Sequence, residues 1–355
     1  MRRLAGPGGC SSGLLLSILL VAVRVQAAIP AGSPIVGWGS DYYGQATPPD
    51  VVNTAESRFF VAAGTYHSCA IVGQQGTLER NLVCWGRDDE GQIDPPPSAQ
   101  AAVGLVAAGT RHTCAMVGFE HSVVCWGHND RGQATPPAEL ETKGVITIAL
   151  GGDHSCAIEA DSSVTCWGSN YYSESTPPAG LHADALAVGD FHACALDEGA
   201  VVCWGDTVYG ESSPPDSVNG TTGFASAISA GNGYSCAIQA ETGAVVCWGY
   251  DGNGQTAVPD AVNGTTGTAI AISAGLDHSC AIQAGTNDVV CWGDDTYGQA
   301  TPPSSLHASA IAAGGIHTLA IQIPEPGPSM LSLTSLGALL AVICLRRRSR
   351  SHRST

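Results

Sequence analysis

The chain has 355 residues, 44% of them hydrophobic and only 13% charged, with 45 Gly and 20 Pro. Disorder goes with low hydrophobicity and high charge, so this balance excludes a disordered chain and predicts a folded core. The 14 Lys+Arg against 31 Asp+Glu give a net charge of −17, which excludes nucleic-acid binding, because phosphate contacts need clustered cations.

At the N-terminus, Arg2 and Arg3 precede an apolar run from Leu14 to Val23, and small residues follow at Ala27 and Ala28. A basic start, an apolar run of about ten residues and a small-residue cut site describe a secretory signal peptide. Residues 1–27 are read as that signal, with Cys10 lost in it. The run is short for a membrane span, which is the alternative reading.

From residue 28 to 323 the chain repeats itself. Trp-Gly occurs at Trp38, Trp85, Trp126, Trp167, Trp204, Trp248 and Trp292, using all seven tryptophans. A turn follows each, usually ending in Gly-Gln as at Gly44-Gln45, and then a proline pair in six copies, with Pro259 alone in the other. Next comes a short Ala/Val/Ile run leading to Gly-x-x-His, as at Gly64 and His67; the fifth copy has Tyr234 instead of His. The apolar pieces are short, rich in β-branched residues and bounded by Gly or Pro, so they predict strands. Units of about 42 residues with several short strands suggest blades around an axis, since one unit cannot bury both its faces.

The chain ends in Pro324-Glu325-Pro326, an apolar stretch from Met330 to Leu345, and a tail with Arg346, Arg347 and Arg348. The stretch predicts a short membrane helix over 330–345, with the basic tail on the cytoplasmic side. This three-part end resembles the PEP-CTERM sorting signal of Gram-negative bacteria. The resemblance implies an exosortase-like processing enzyme as a partner, and delivery to the cell surface or matrix after transient anchoring; a plain tail anchor is the alternative. Eight of the 14 basic residues lie in the two terminal segments, and no Lys or Arg occurs between Lys143 and Arg346.

The repeated pattern Ala-Gly-x-x-His-(Ser/Thr)-Cys-Ala, then Cys-Trp-Gly, then Gly-Gln, resembles the regulator of chromosome condensation repeat family. That resemblance implies an all-β, seven-bladed propeller over residues 28–323; the apolar runs near the two ends of the chain each predict a short helix. The family's nuclear member performs guanine-nucleotide exchange, which an exported domain has no cytosolic partner to carry out. Fold alone assigns no activity.

Twelve of the 14 cysteines fall in the repeats, as Cys69/Cys84, Cys114/Cys125, Cys156/Cys166, Cys194/Cys203, Cys236/Cys247 and Cys280/Cys291. Their spacing suits facing positions of a hairpin, where Cα atoms stand ~4.5 Å apart, at the short end of disulfide geometry. Zinc and free thiols are the alternatives, and no Cys-x-x-Cys knuckle favours zinc. Each bridge would contribute roughly 2–3 kcal/mol in the chain-entropy model. Gly37 and Leu319 stand where a seventh pair of cysteines belongs. Pairing of the first and last strands would place them together and close the ring.

Three residue sets are candidates for function. The histidines recur once per unit, which suits a blade-supporting role better than the single constellation that catalysis needs. Acidic turns such as Asp88-Asp89-Glu90 and Asp294-Asp295 suit tight-turn hydrogen bonding, with calcium as the alternative and no other cofactor expected. Tyr42, Tyr43, Tyr171, Tyr172, Tyr209, Tyr250 and Tyr297 lie in the turns after Trp-Gly, and Tyr66, Arg111 and Phe191 lie in the variable pair inside Gly-x-x-His. Tyrosine offers large, semi-rigid contact area. The alternative is packing between loops. These features describe an exported, non-catalytic propeller binding an extracellular protein or polysaccharide as a monomer; an extracellular polysaccharide-active enzyme is the rival. Non-reducing peptide mapping should recover Cys114 linked to Cys125, and abundant free thiol at those positions would refute the pairing.

Overall fold

The computed structural model describes residues 33–324, except 56, 74–79, 101 and 119–120. The signal at 1–27, the helix at 330–345, Glu325, Pro326, Arg346, Arg347 and Arg348 lie outside the described residues. Among those described, no helix is long and apolar enough to cross a membrane.

Among the described residues, twenty-one strands form seven antiparallel sheets of three. Six sheets take consecutive strands. The first has Ser57–Ala63, His67–Gly73 and Arg80–Gly86; the second Val103–Ala108, His112–Val117 and Ser122–Gly127; the third Val145–Leu150, His154–Glu159 and Val164–Gly168. The fourth has Ala185–Val188, His192–Asp197 and Ala200–Gly205; the fifth Ala225–Ala230, Tyr234–Gln239 and Val245–Gly249; the sixth Ala269–Ala274, His278–Gln283 and Val289–Gly293. The seventh sheet joins Ala308–Ala313 and His317–Gln322 to the N-terminal strand Ile35–Gly39. In that sheet Gly37 lies opposite Leu319.

The first strand of each blade is innermost. Each inner strand touches the next around the axis, and Ala308–Ala313 touches Ser57–Ala63. Six of the seven inner strands carry a bulge, as between Arg58 and Phe60. The short inner strand Ala185–Val188 pairs without one.

The core is a set of wedges between blades. Cys69, Ile71 and Leu82 of the first blade pack against Val103, Val106, Ala115 and Trp126 of the second. Ile35, Leu319 and Ile321 of the last pack against Val52, Ala70 and Trp85 of the first. A lone blade would leave such a face in water, which is why the repeats must stack.

Disulfides join the middle and outer strands of six blades: Cys69 to Cys84, Cys114 to Cys125, Cys156 to Cys166, Cys194 to Cys203, Cys236 to Cys247 and Cys280 to Cys291. The two members of every pair stand directly opposite each other in the strand register. Their Cα atoms are 4.0 to 4.1 Å apart, as expected of the closely spaced facing positions of an antiparallel pair. The two members differ in surroundings. Cys69, Cys114, Cys156, Cys194, Cys236 and Cys280 on the middle strands are fully buried. Cys84, Cys125, Cys166, Cys203, Cys247 and Cys291 on the outer strands are half-buried and pack on the edge of a wedge.

In the seventh sheet a Cβ on Gly37 would lie 2.1 Å from the Ala46 carbonyl oxygen and 2.9 Å from Leu319 Cδ2. Leu319 thus fills the space that a disulfide occupies elsewhere, and only glycine fits opposite it.

A polar belt runs between the blades. Each Trp indole N–H donates, at 2.8 to 3.0 Å, to the carbonyl of the Gln or Glu in the loop of the preceding blade, as Trp85 does to Gln45 and Trp38 to Gln299. The Ser68 hydroxyl donates to the same Gln45 carbonyl and lies 2.7 Å from His317 Nε2 of the previous blade. Since Ser68 spends its proton on that carbonyl, His317 must donate from Nε2. The histidine-to-hydroxyl contact recurs for His67 with Thr113, His112 with Ser155, His192 with Ser235 and His278 with Thr318. Tyr234 takes the histidine's place and reaches Ser279 at 3.0 Å.

The other ring nitrogen, Nδ1, has no partner in the six histidines. A Cβ on Gly64 would sit 2.8 Å from His67 Nδ1 and 2.5 Å from Cε1, so the glycine of Gly-x-x-His makes room for the ring. Burial drives the histidines down to about 3 for His112, His192 and His317 and about 4 for His67, His154 and His278. They are therefore neutral, and five of the six serve the belt as structural partners.

One link is missing. Ala193 stands at the position where other blades place the Ser or Thr partner, and both ring nitrogens of His154 are unpartnered although the residue is fully buried. An unmet buried donor costs about 1–3 kcal/mol. Ala193→Ser should therefore raise stability by about 1 kcal/mol, seen as a higher Tm; an unchanged or lower Tm would show that no bond forms.

The histidines also set an acid response. In the unfolded chain they bind protons below about pH 6.5, whereas the folded rings resist protonation until about pH 3–4, so stability is full above about 6.5 and falls as pH drops. Asp190 and Asp277, raised by burial, act in the opposite sense but are fewer. Tm should be lower at about pH 5 than at about pH 7.5; equal values would count against six neutral buried rings.

Candidate functional site

Two loop sets meet at the end of the propeller where the inner strands finish. One follows Trp-Gly; the other is the pair inside Gly-x-x-His. They are stitched by the same bond in every blade: the N–H after Trp-Gly donates to the carbonyl of the second member of the pair. Arg87 to Tyr66, His128 to Arg111 and Asp206 to Phe191 are examples, at 2.9 Å each.

The loop after Trp-Gly is held from within. The side-chain oxygen of its Gln or Glu accepts the N–H two residues earlier, at 2.6 to 2.9 Å, in all seven copies, including Tyr43 to Gln45, Tyr172 to Glu174, Tyr209 to Glu211 and Tyr297 to Gln299. Only an acceptor is required, so Glu174 and Glu211 replace glutamine while buried to 1% exposure. Glu174 is held below the usual carboxylate range against a burial penalty by bonds from the Ser169 hydroxyl and the Tyr172 N–H. The residue before it has a positive φ, supplied by Gly44 (78°) and its counterparts, and by Ser173 (65°) in one loop.

The acidic turn residues serve these loops. Asp41, Asn129, Asn170, Asp251 and Asp295 each accept the N–H five residues ahead at 2.8 to 3.0 Å. Among the described residues, no group of three His, Cys, Asp or Glu side chains is gathered as for a metal ion.

This end of the molecule carries the aromatic candidates. Tyr42 and Tyr171 are each 84% exposed, and Tyr43, Tyr172, Phe191, Tyr209 and Tyr297 are also exposed. Tyr66, Arg111 and Tyr250 are half-buried. The rings form edge-on contacts: Tyr42 with Tyr43, Tyr43 with Tyr66, Tyr171 with Tyr172, and Tyr172 with Phe191. Tyr209 and Tyr250 lie 4.8 Å apart, beside Gly233, where there is no side chain to separate them. The variable pair divides its work in a way that its sequence does not reveal. Its first members, including Thr65, Thr110, Asp190 and Leu276, line the axial opening, while the second members Tyr66 and Phe191 meet tyrosines.

Spaces open at both ends of the axis. A cavity of about 80 Å³ at this end is ringed by the glycines Gly64, Gly109, Gly151, Gly189, Gly231, Gly275 and Gly314. A cavity of about 430 Å³ at the other end is lined by inner-strand residues such as Phe60, Leu186, Ile228 and Ile311. Asp190 at the glycine end is pushed up to about 6 by burial and by Asp153 and Asp277.

Residues 105–133, 145–174 and 269–299 match the Regulator of chromosome condensation (RCC1) repeat. No curated protein matches the chain. Among solved structures, the ectodomain of the Physcomitrella patens receptor kinase CR4 aligns at a TM-score of 0.61 and 22% identity, over 77% of this chain and 72% of that one. Saccharomyces cerevisiae Prp20p aligns at 0.68 and 14%, over 90% and 97%. Human WBSCR16 aligns at 0.65 and 15%, over 82% and 100%. At such identities the likeness is one of fold. The chain is folded as a seven-bladed propeller of the RCC1-repeat type.

Proposed function

We propose that this protein is an exported, non-catalytic binding module that grips a protein partner with its aromatic loop face. The observation that carries this reading is internal to the chain. Turn residues, tryptophans and histidines keep one role in nearly every blade, whereas the side chains they hold outward differ from blade to blade. A face so arranged is rigid in backbone and varied in chemistry, which suits recognition. Exposed Tyr and Phe supply the contact area typical of interface centres. Prp20p binds Gsp1p and histones, which supports a protein as the class of partner, ahead of a polysaccharide.

Six disulfides need an oxidising compartment, which supports export directed by residues 1–27. In this reading the Pro324-Glu325-Pro326 segment with its apolar stretch and basic tail is processed by an exosortase-like enzyme and leaves the domain at a bacterial surface or matrix. The Ile35–Gly39 strand acts as the clasp of the ring. The histidines, committed to the belt between blades, are not available for chemistry.

The mature domain should capture a defined protein from the envelope and matrix of its own producer, identified by mass spectrometry. Tyr171→Ala combined with Tyr172→Ala should reduce that capture about tenfold with Tm unchanged, the effect of removing two interface aromatics. Undiminished capture would remove the face from the function, and a large fall in Tm would reassign these tyrosines to packing.

A further inference from the structure

Each blade builds the same three-residue corner on the loop face: the residue held by the Gln or Glu of the preceding blade's loop, the second member of the Gly-x-x-His pair, and the residue after Trp-Gly. At the first blade these are Tyr43, Tyr66 and Arg87. The two rings stand 5.8 Å apart at an interplanar angle of 72°. The Arg87 guanidinium lies over both, 5.3 Å from one centroid and 5.4 Å from the other, and is paired with Asp89. This corner is complete: a cation sits on an aromatic pair with an acid at hand.

The fourth blade repeats its aromatic part. Tyr172 and Phe191 are 5.6 Å apart at 69°, and the preceding Tyr171 meets Tyr172 as Tyr42 meets Tyr43, at 4.8 Å in both loops. The third position is again fixed by the N–H to carbonyl bond, here from Asp206 to Phe191. Asp206 therefore stands where Arg87 stands. The corner keeps its rings and carries an anion in place of the cation. Its later neighbours cannot make up the difference, since no Lys or Arg occurs between Lys143 and Arg346. Two other corners close themselves differently: Arg111 pairs with Glu90 at 3.5 Å in the second blade, and Tyr250 packs on Tyr209 in the fifth.

We infer that Tyr172, Phe191 and Asp206, with Tyr171 at the rim, form a receptor for an arginine side chain of the partner protein, which completes the corner as Arg87 does in the first blade. The guanidinium lies on the two rings and its charge is met by the Asp206 carboxylate. The inference rests on reading the loop face as a protein-binding surface, and it narrows the partner to one that presents a basic segment. Charge complementarity selects that occupant: the sector from blade four onward adds Asp206, Asp251, Asp277, Asp294 and Asp295 to the loop segments with no Lys or Arg of its own.

The test uses the mature domain with a peptide of alternating arginine and serine, and the same peptide with citrulline, the neutral isostere of arginine. The arginine peptide should bind in calorimetric titration, and citrulline should weaken it at least about tenfold, as expected on losing a cation from an aromatic pair. Tyr172→Ala and Phe191→Ala should each weaken it to a similar degree, and Asp206→Asn less. Asp206→Arg should abolish binding with Tm maintained, because it installs the internal cation. Equal binding of the two peptides, full binding by Asp206→Arg, or no binding at millimolar peptide would overturn the inference. If the peptide fails while capture from envelope material still depends on Tyr171 and Tyr172, the binding function stands and only the arginine receptor falls.

Discussion

The peptide carbonyl of Gln45 and its six counterparts is the point on which the fold and the loop face both depend. It receives the indole N–H of the following blade, and in most blades a Ser or Thr hydroxyl as well, itself bonded by the histidine of the preceding blade. The side chain of the same residue holds the loop that carries the outward-facing tyrosines. One residue per blade thus joins the apolar wedge, the polar belt and the exposed corner. Displacing it would orphan buried donors on both sides, and such donors are costly to leave unmet.

That arrangement explains the division between constant and variable positions. Burial of the wedges supplies the non-directional driving force, and the disulfides hold the middle and outer strands of six blades together. The seventh blade has two strands from one end of the chain and one from the other, with Leu319 against Gly37 in place of a bridge. With the backbone so constrained, the residues at the corners can change without altering the loops. Tyr43, Glu90, Arg131, Tyr172, Tyr209, Asn253 and Tyr297 all occupy one backbone position while differing in charge and size.

Much of the architecture was legible in the sequence because its determinants are local. Cys114 and Cys125 are close along the chain and face each other across one hairpin, so their spacing sufficed. The seven Trp-Gly pairs likewise marked every outer strand. Relations between blades were not legible. The partner of His67 is Thr113, 46 residues on, and nothing in a single repeat reveals it; the missing hydroxyl at Ala193 becomes meaningful only once that cross-blade bond is known. The corner of Tyr43, Tyr66 and Arg87 draws on three separate segments, so the tyrosines were readable as a set but their pairing with Phe191 and the guanidinium was not. The bulge beside Phe59 has no sequence signal and shows only in the pairing register, between Arg58 and Phe60.

The seventh sheet also fixes how the domain is presented. Gly39 and His317 lie at its end beside the loop face, while Ile35 and Ile321 pair toward the other end, and the Gln322 N–H donates to the Pro34 carbonyl at 2.9 Å. Chain entry and chain exit are therefore side by side, on the underside of the disc. Any tether attached through either terminal segment would hold the domain like a flower on its stalk, with its tyrosines turned outward to whatever approaches.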